Sequence, residues 1–182
     1  MKRKKNTFVS RAAVGCVTTA IFLLLCIIKG IYPFGIATLD TVDFQSQWIP
    51  AYYHVWDVLH GDGSAFFDWR VGGGNNFAGV SAQFSLFSPF NLFFLFVKRS
   101  WIEKSMIVFL LIKLLAMGYG MRWFLKEQIL KEERYGIYIL AGSVGYAVNG
   151  YTLLYYGMGW LDVAAILPLL GYFFCRMAER EG

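Results

Sequence analysis

Arg11-Ala12-Ala13-Val14-Gly15-Cys16-Val17-Thr18-Thr19-Ala20-Ile21-Phe22-Leu23-Leu24-Leu25-Cys26-Ile27-Ile28-Lys29 carries no charge between its two terminal cations, whose long side chains can reach lipid headgroups. The uncharged run has the length needed to cross a hydrocarbon core roughly 30 Å thick. It predicts a first transmembrane helix over residues 12–29. A cleaved leader is the alternative, because Lys2, Arg3, Lys4, Lys5 and Arg11 form a basic region ahead of it. Ile27-Ile28-Lys29-Gly30-Ile31 offers no small-x-small cleavage site, so an uncleaved anchor is expected.

The rest of the chain agrees with a membrane setting. Hydrophobic residues make up 57%, aromatic residues 19% and charged residues only 16%, which is too apolar for water to solvate much of it. The cations of residues 1–11 put the N-terminus in the cytoplasm by the positive-inside rule, so residues 30–104 fall outside. The net charge of +5 thus orients the protein and gives no reason to expect nucleic acid. Cys16, Cys26 and Cys175 sit in apolar surroundings, as packing residues do, and form neither a disulfide framework nor a zinc site.

Within the outer segment, Asp40, Asp43, Asp57, Asp62 and Asp68 are accompanied by Arg70 alone before Lys98. Pro50 can open a helix in which Tyr52, Val55, Trp56 and Leu59 share a face, with Gly61 or Gly63 closing it, an amphipathic helix suited to the membrane surface. Trp69-Arg70-Val71-Gly72-Gly73-Gly74-Asn75-Asn76 reads as a flexible turn-rich connection and lacks the Gly-Lys-Ser/Thr of a phosphate loop. Residues 83–97 are apolar but short and contain Ser85, Ser88, Pro89 and Asn91, so interfacial or re-entrant helices are expected there in preference to a crossing.

Further transmembrane helices are expected over 105–125, 135–150 and 163–175, joined by a cytoplasmic loop at 126–134 and an outer loop at 151–162, with 176–182 back in the cytoplasm. Lys113 lies mid-span, where a charge costs about 3 kcal/mol unless protein surrounds it. Gly136, Ala141, Gly142, Gly145 and Ala147 permit close helix contact in lipid. The expected fold is an all-α polytopic transmembrane bundle with interfacial helices in a long first extracytoplasmic loop, in a multi-pass protein of the cell membrane.

Candidate chemistry concentrates in Thr38-Leu39-Asp40-Thr41-Val42-Asp43-Phe44-Gln45-Ser46-Gln47-Trp48. Asp40 and Asp43 are three apart, so a helical turn puts both carboxylates on one face, as a general base with a helper or a metal-ligand pair requires. The competing reading is that Asp40, Thr41 or Asp43 caps the following helix. Arg70, Lys98, Arg99 and Lys104 can hold a lipid phosphate or act as plain interfacial anchors. Asp162 either caps the last span or faces the same outer cavity as Asp43. His54 and His60, six apart, are expected on polar faces, not as a metal pair. No Gly-x-Ser-x-Gly, His-Glu-x-x-His, Cys-x-x-Cys or dinucleotide fingerprint is present, which leaves carboxylates and cations to carry any catalysis.

An ordered series of short motifs adds to this reading. Tyr32-Pro33-Phe34-Gly35, Asp43 with Gln47-Trp48, Gly72-Gly73-Gly74-Asn75, Ser88-Pro89-Phe90-Asn91-Leu92, Lys113-Leu114, Gly145-Tyr146-Ala147, Asn149-Gly150-Tyr151, Trp160-Leu161-Asp162 and Leu167-Pro168-Leu169 together resemble the YfhO-like family of bacterial polytopic membrane proteins. The likeness runs from about Ile31 to Ala178, with Trp48 where tyrosine is usual.

The resemblance implies a GT-C-type glycosyltransferase fold, of which this chain corresponds to the N-terminal module or a truncated gene product, since family members are several times longer. It further implies a catalytic Asp in the first extracytoplasmic loop, a polyprenyl-phosphate sugar donor and an envelope-polymer acceptor such as lipoteichoic acid. On that basis Asp43 is the expected base and Asp40 its helper. Gln47, Arg70, Lys98, Arg99 and Asp162 are the expected substrate contacts, and a divalent cation is an open possibility. Two readings from other classes stand beside it: a lipid or polymer flippase using Lys113 and Asp162, and a non-catalytic partner that docks other membrane proteins.

Overall fold

The uncharged N-terminal run forms most of α1 (Arg3–Ile28), and three more apolar stretches give α4 (Ile102–Phe124), α5 (Gly136–Ala147) with α6 (Gly150–Leu154), and α7 (Leu161–Glu181). The computed structural model describes residues 3–39, 43–80, 87–130, 135–156 and 160–181. Asp40 and the start of the 83–97 run lie outside the described residues. Four helical stretches are long and apolar enough to cross a membrane, Arg11–Ile28, Arg99–Ile129, Gly136–Leu154 and Leu161–Arg180, and the only strands described are two residues each. The protein is an all-α, multi-pass membrane protein.

The chain divides into two compact units. The first gathers Met1–Cys26, Leu111–Leu154 and Val163–Gly182. With no water to drive association, its helices depend on close van der Waals approach. A Cβ on Gly118 would meet Val14 Cγ1 at 3.3 Å and Ala147 Cβ at 3.6 Å, and one on Gly15 would overlap the Tyr119 hydroxyl. Gly142 lies against Leu125, whereas Gly136 and Gly145 have open space beside them. The closest approaches therefore fall on Gly15 of α1 and Gly142 of α5, with Gly118 of α4 also in contact, while Gly136 and Gly145 do not share this role.

Pro168 lies inside α7 and has no N–H to offer the carbonyl of Ala164. The Tyr146 hydroxyl of α5 donates to that carbonyl at 2.8 Å. A backbone group that lipid could not satisfy is thereby paired. Between α5 and α6, Asn149 donates to Tyr146 O at 2.6 Å and accepts from Thr152 N at 3.0 Å, ending one helix and opening the next. Lys113 is 3% exposed, surrounded by protein as its mid-span position demands.

The second unit gathers Ile27–Leu110 and Tyr155–Asp162. A five-residue π-turn, Phe44–Trp48, runs straight into α2 (Ile49–Leu59), with Pro50 in its first turn and Gly61 beyond its end at φ +84°. Tyr52 of α2, Phe94 and Phe109 stack into the core, with ring centroids 5.0–5.3 Å apart. Phe94 belongs to a 3-10 helix, Pro89–Phe96, opened by Ser88, whose hydroxyl accepts from Phe90 N. At about 2 Å per residue this helix is only half as long as a hydrocarbon core is thick. Trp56 Nε1 donates to Val97 O at 2.7 Å and fixes its far end. A second 3-10 turn, Arg99–Trp101, leads into α4.

The glycine-rich stretch is the loop of a hairpin, in which β1 (Phe67–Asp68) pairs antiparallel with β2 (Asn75–Asn76) ahead of α3 (Phe77–Val80). Gly72, Gly73 and Gly74 all take positive φ, and a Cβ on Gly74 would meet the Trp69 ring at 2.6 Å. The turn needs glycine for its conformation and, at Gly74, also for space.

Candidate functional site

α2 presents two stripes offset around its axis. Tyr52 and Val55 face the aromatic core, while Pro50, Tyr53, His54 and Asp57, spaced i, i+3, i+4 and i+7, line a cleft of about 660 Å³ within the second unit. The volume suits a small-molecule ligand. Gln45 and Gln47 from the π-turn, Arg70 and Val71 from the hairpin loop, Phe77 from α3, and Arg99 and Glu103 ahead of and within α4 complete its walls.

Asp57 is the fixed point of this cleft. Its side chain is 9% exposed and accepts from Arg99 Nε at 2.8 Å, Arg99 Nη2 at 3.3 Å and Arg70 Nη1 at 3.3 Å. The two-pronged grip of Arg99 is the strong, planar form of carboxylate recognition. Arg70 also holds Asp68 through Nε at 3.0 Å and Nη2 at 2.7 Å, and donates to Asp62 O. Hydrogen bonds from Arg70 pull the Asp68 carboxyl well below the usual range, and Asp68 in turn raises the guanidinium.

Tyr53 joins the other wall. Its hydroxyl donates to Glu103 Oε1 at 3.1 Å, and the Arg99 guanidinium lies 4.9 Å from its ring centroid. Partial burial, and then the bond to Glu103, push the Tyr53 phenol up. His54 lies on the polar, cleft-lining stripe as expected, but it is buried there. It is 7% exposed, packs edge-on against Phe77 at 4.1 Å and contacts Ser64 O at 3.1 Å. His60 is exposed, stacked on Trp56 at 3.8 Å.

Of the residues singled out from sequence, Gln47, Arg70 and Arg99 line the cleft together. Asp43 sits at the opening of the π-turn in helical conformation, makes no capping hydrogen bond, and its exposed carboxylate accepts from Gln47 Nε2 at 3.4 Å. The capping reading of Asp43 therefore fails. Lys98 is exposed and is not one of the lining residues. Asp162 is buried in the first turn of α7, and its charge, after burial itself, raises the Tyr52 phenol. Among the described residues no three His, Cys, Asp or Glu side chains group to hold a metal ion.

Asp57, Tyr53 and Glu103 were not marked as site residues from sequence. The usable signal for the first two was the second stripe on α2, whose spacing is as regular as that of the apolar one.

No curated protein and no solved structure matches the chain. The family model described as bacterial membrane protein YfhO matches residues 15–177, which is most of the sequence. The chain, with its four membrane-length helices and its Asp43–Gln47 pair on the π-turn ahead of α2, belongs to the YfhO family of bacterial membrane proteins.

Proposed function

We propose that this chain is a GT-C-type glycosyltransferase, or the N-terminal module of one, that moves a sugar from a polyprenyl-phosphate donor to a cell-envelope polymer such as lipoteichoic acid. Asp43 takes the proton of an acceptor hydroxyl as its oxygen bonds to the anomeric carbon. The bond from that carbon to the lipid phosphate breaks with inversion, and the phosphate leaves with the electron pair. Gln47 holds the base, and Asp40 acts as its helper. The observation that carries this reading is the exposed Asp43 carboxylate, which makes no capping hydrogen bond and accepts from the cleft residue Gln47.

Cations near the departing phosphate would stabilise the charge that develops there. Arg70 has most of its donors on Asp57, Asp62 and Asp68. Lys98, exposed and outside the cleft lining, is better suited. Lys98 stands beside the exposed apolar side chains Leu92, Leu95 and Phe96 and close to Trp101, a composition suited to headgroup level. The second unit is read as the extracytoplasmic head. The Tyr156 hydroxyl donates to Leu39 O at 2.7 Å and its ring lies 5.9 Å from that of Phe44. Such contacts are expected if the segment after α1 and the turn before α7 share one membrane face.

The test is sugar transfer onto envelope polymers in cells carrying Asp43→Asn in the complete protein. A loss of about 10²-fold or more supports the base, and undiminished transfer removes it. Asp40→Asn in parallel measures how far the helper matters.

A further inference from the structure

Tyr53 carries a hydrogen-bond acceptor at one end and a donor over its face. Glu103 has Oε1 held by the Tyr53 hydroxyl, and Oε2 makes no hydrogen bond among the described residues. Arg99 has Nε and one Nη2 hydrogen on Asp57, which leaves Nη1 turned to no partner among the described residues. No ion pair joins Arg99 to Glu103 although both line the cleft. The buried Asp57 behind Arg99 fixes the guanidinium plane, and Tyr53 fixes both groups, so neither has to be ordered when a ligand arrives.

Charge decides what such a pair can take. The cleft's cations, Arg70 and Arg99, are matched by its carboxylates, Asp57 and Glu103, with Asp68 on Arg70 besides. A phosphate would meet no net positive charge here, and Glu103 would repel it. A vicinal diol fits: one hydroxyl donates to Glu103 Oε2 while its neighbour accepts from Arg99 Nη1. Pro50, Phe77 and the Tyr53 ring offer the apolar surface that the C–H face of a sugar ring needs.

We propose that the Tyr53–Arg99–Glu103 edge of the cleft is a binding subsite for the vicinal diol of an uncharged saccharide or polyol, distinct from any site for the lipid phosphate. The inference rests on the reading of the second unit as a sugar-handling head and names the partner that its cleft receives.

The test is ligand-observed saturation-transfer NMR on the complete protein in nanodiscs, with methyl glucopyranoside and inorganic phosphate as probes. The expected result is binding of the glucoside, weakened about tenfold or more by Glu103→Gln and restored in part by Glu103→Asp, with phosphate failing to compete. Absence of glucoside binding, equal binding by Glu103→Gln, or displacement by phosphate overturns the subsite. Loss of transfer in Asp43→Asn together with unaltered glucoside binding in Glu103→Gln sinks this inference and spares the catalytic reading. Normal transfer in Asp43→Asn with tenfold weaker binding in Glu103→Gln does the reverse.

Discussion

Arg99, at the foot of the second long apolar helix, reaches back 42 positions to grip Asp57 on α2 with Nε at 2.8 Å and Nη2 at 3.3 Å. That one contact fixes a membrane-helix end to the wall of the cleft, and Arg70 fixes the hairpin to the same carboxylate at 3.3 Å.

Asp57→Ala leaves two guanidiniums facing one another with their common acceptor gone. The pair is buried on the Asp57 side but half exposed on the arginine side, where each side chain is 52% accessible, so solvent screening reduces the cost. A destabilisation of about 1–3 kcal/mol is expected. A thermal-shift series on Asp57→Ala, Arg99→Met and the double variant checks it, with the double variant falling short of the sum of the singles.

The hairpin has a pH limit set by Asp68. Arg70 holds the folded carboxyl low, so below about pH 4 the unfolded chain takes up a proton that the folded one refuses. Its stabilising contribution is complete above that pH and is lost as pH falls towards the folded value. Trp69 fluorescence in a pH titration should stay native-like through pH 4 and change only below it, whereas Asp68→Asn should show the hairpin already loosened at neutral pH.

Tyr146→Phe removes only a hydroxyl, but one that serves the carbonyl orphaned by Pro168. A loss of about 1–3 kcal/mol is expected. In Tyr146→Phe with Pro168→Ala the new N–H can take over the Ala164 carbonyl. Recovery of the melting temperature in that double variant relative to Tyr146→Phe is the check.

Much of this was legible before any coordinates. Residues 12–28 announce a membrane helix by length and lack of charge alone, and Lys113 had to be enclosed because lipid tolerates no bare ammonium. Spacing pairs Asp43 with Asp40, which lies outside the described residues, and does not show its contact with Gln47 across a π-turn. What sequence could not give was long-range pairing: nothing local says that Asp57 meets Arg99, that Tyr146 repairs the gap left by Pro168, or that Gly15 packs against the Tyr119 hydroxyl. The burial of His54 was hidden for a similar reason. Its burial depends on Phe77, which only the hairpin brings over it.

The exposed apolar edge of the 3-10 helix gives another check. Leu92, Leu95 and Phe96, the last 87% exposed, should lie among lipid chains beside the Lys98 anchor. A bimane on cysteine at position 96 should be strongly quenched by brominated lipid in nanodiscs, and one at position 62, on a loop of polar and small residues, weakly. Equal quenching at both positions would place the helix away from the bilayer.

The central claim is that the Asp43 carboxylate works on the extracytoplasmic side of the membrane. The most direct measurement places a cysteine at position 43 in the complete protein, with Cys16, Cys26 and Cys175 replaced by serine, and treats intact cells with a membrane-impermeant maleimide. Labelling of intact cells is the expected result. Labelling that begins only once the membrane is permeabilised would put Asp43 on the cytoplasmic face and contradict the mechanism.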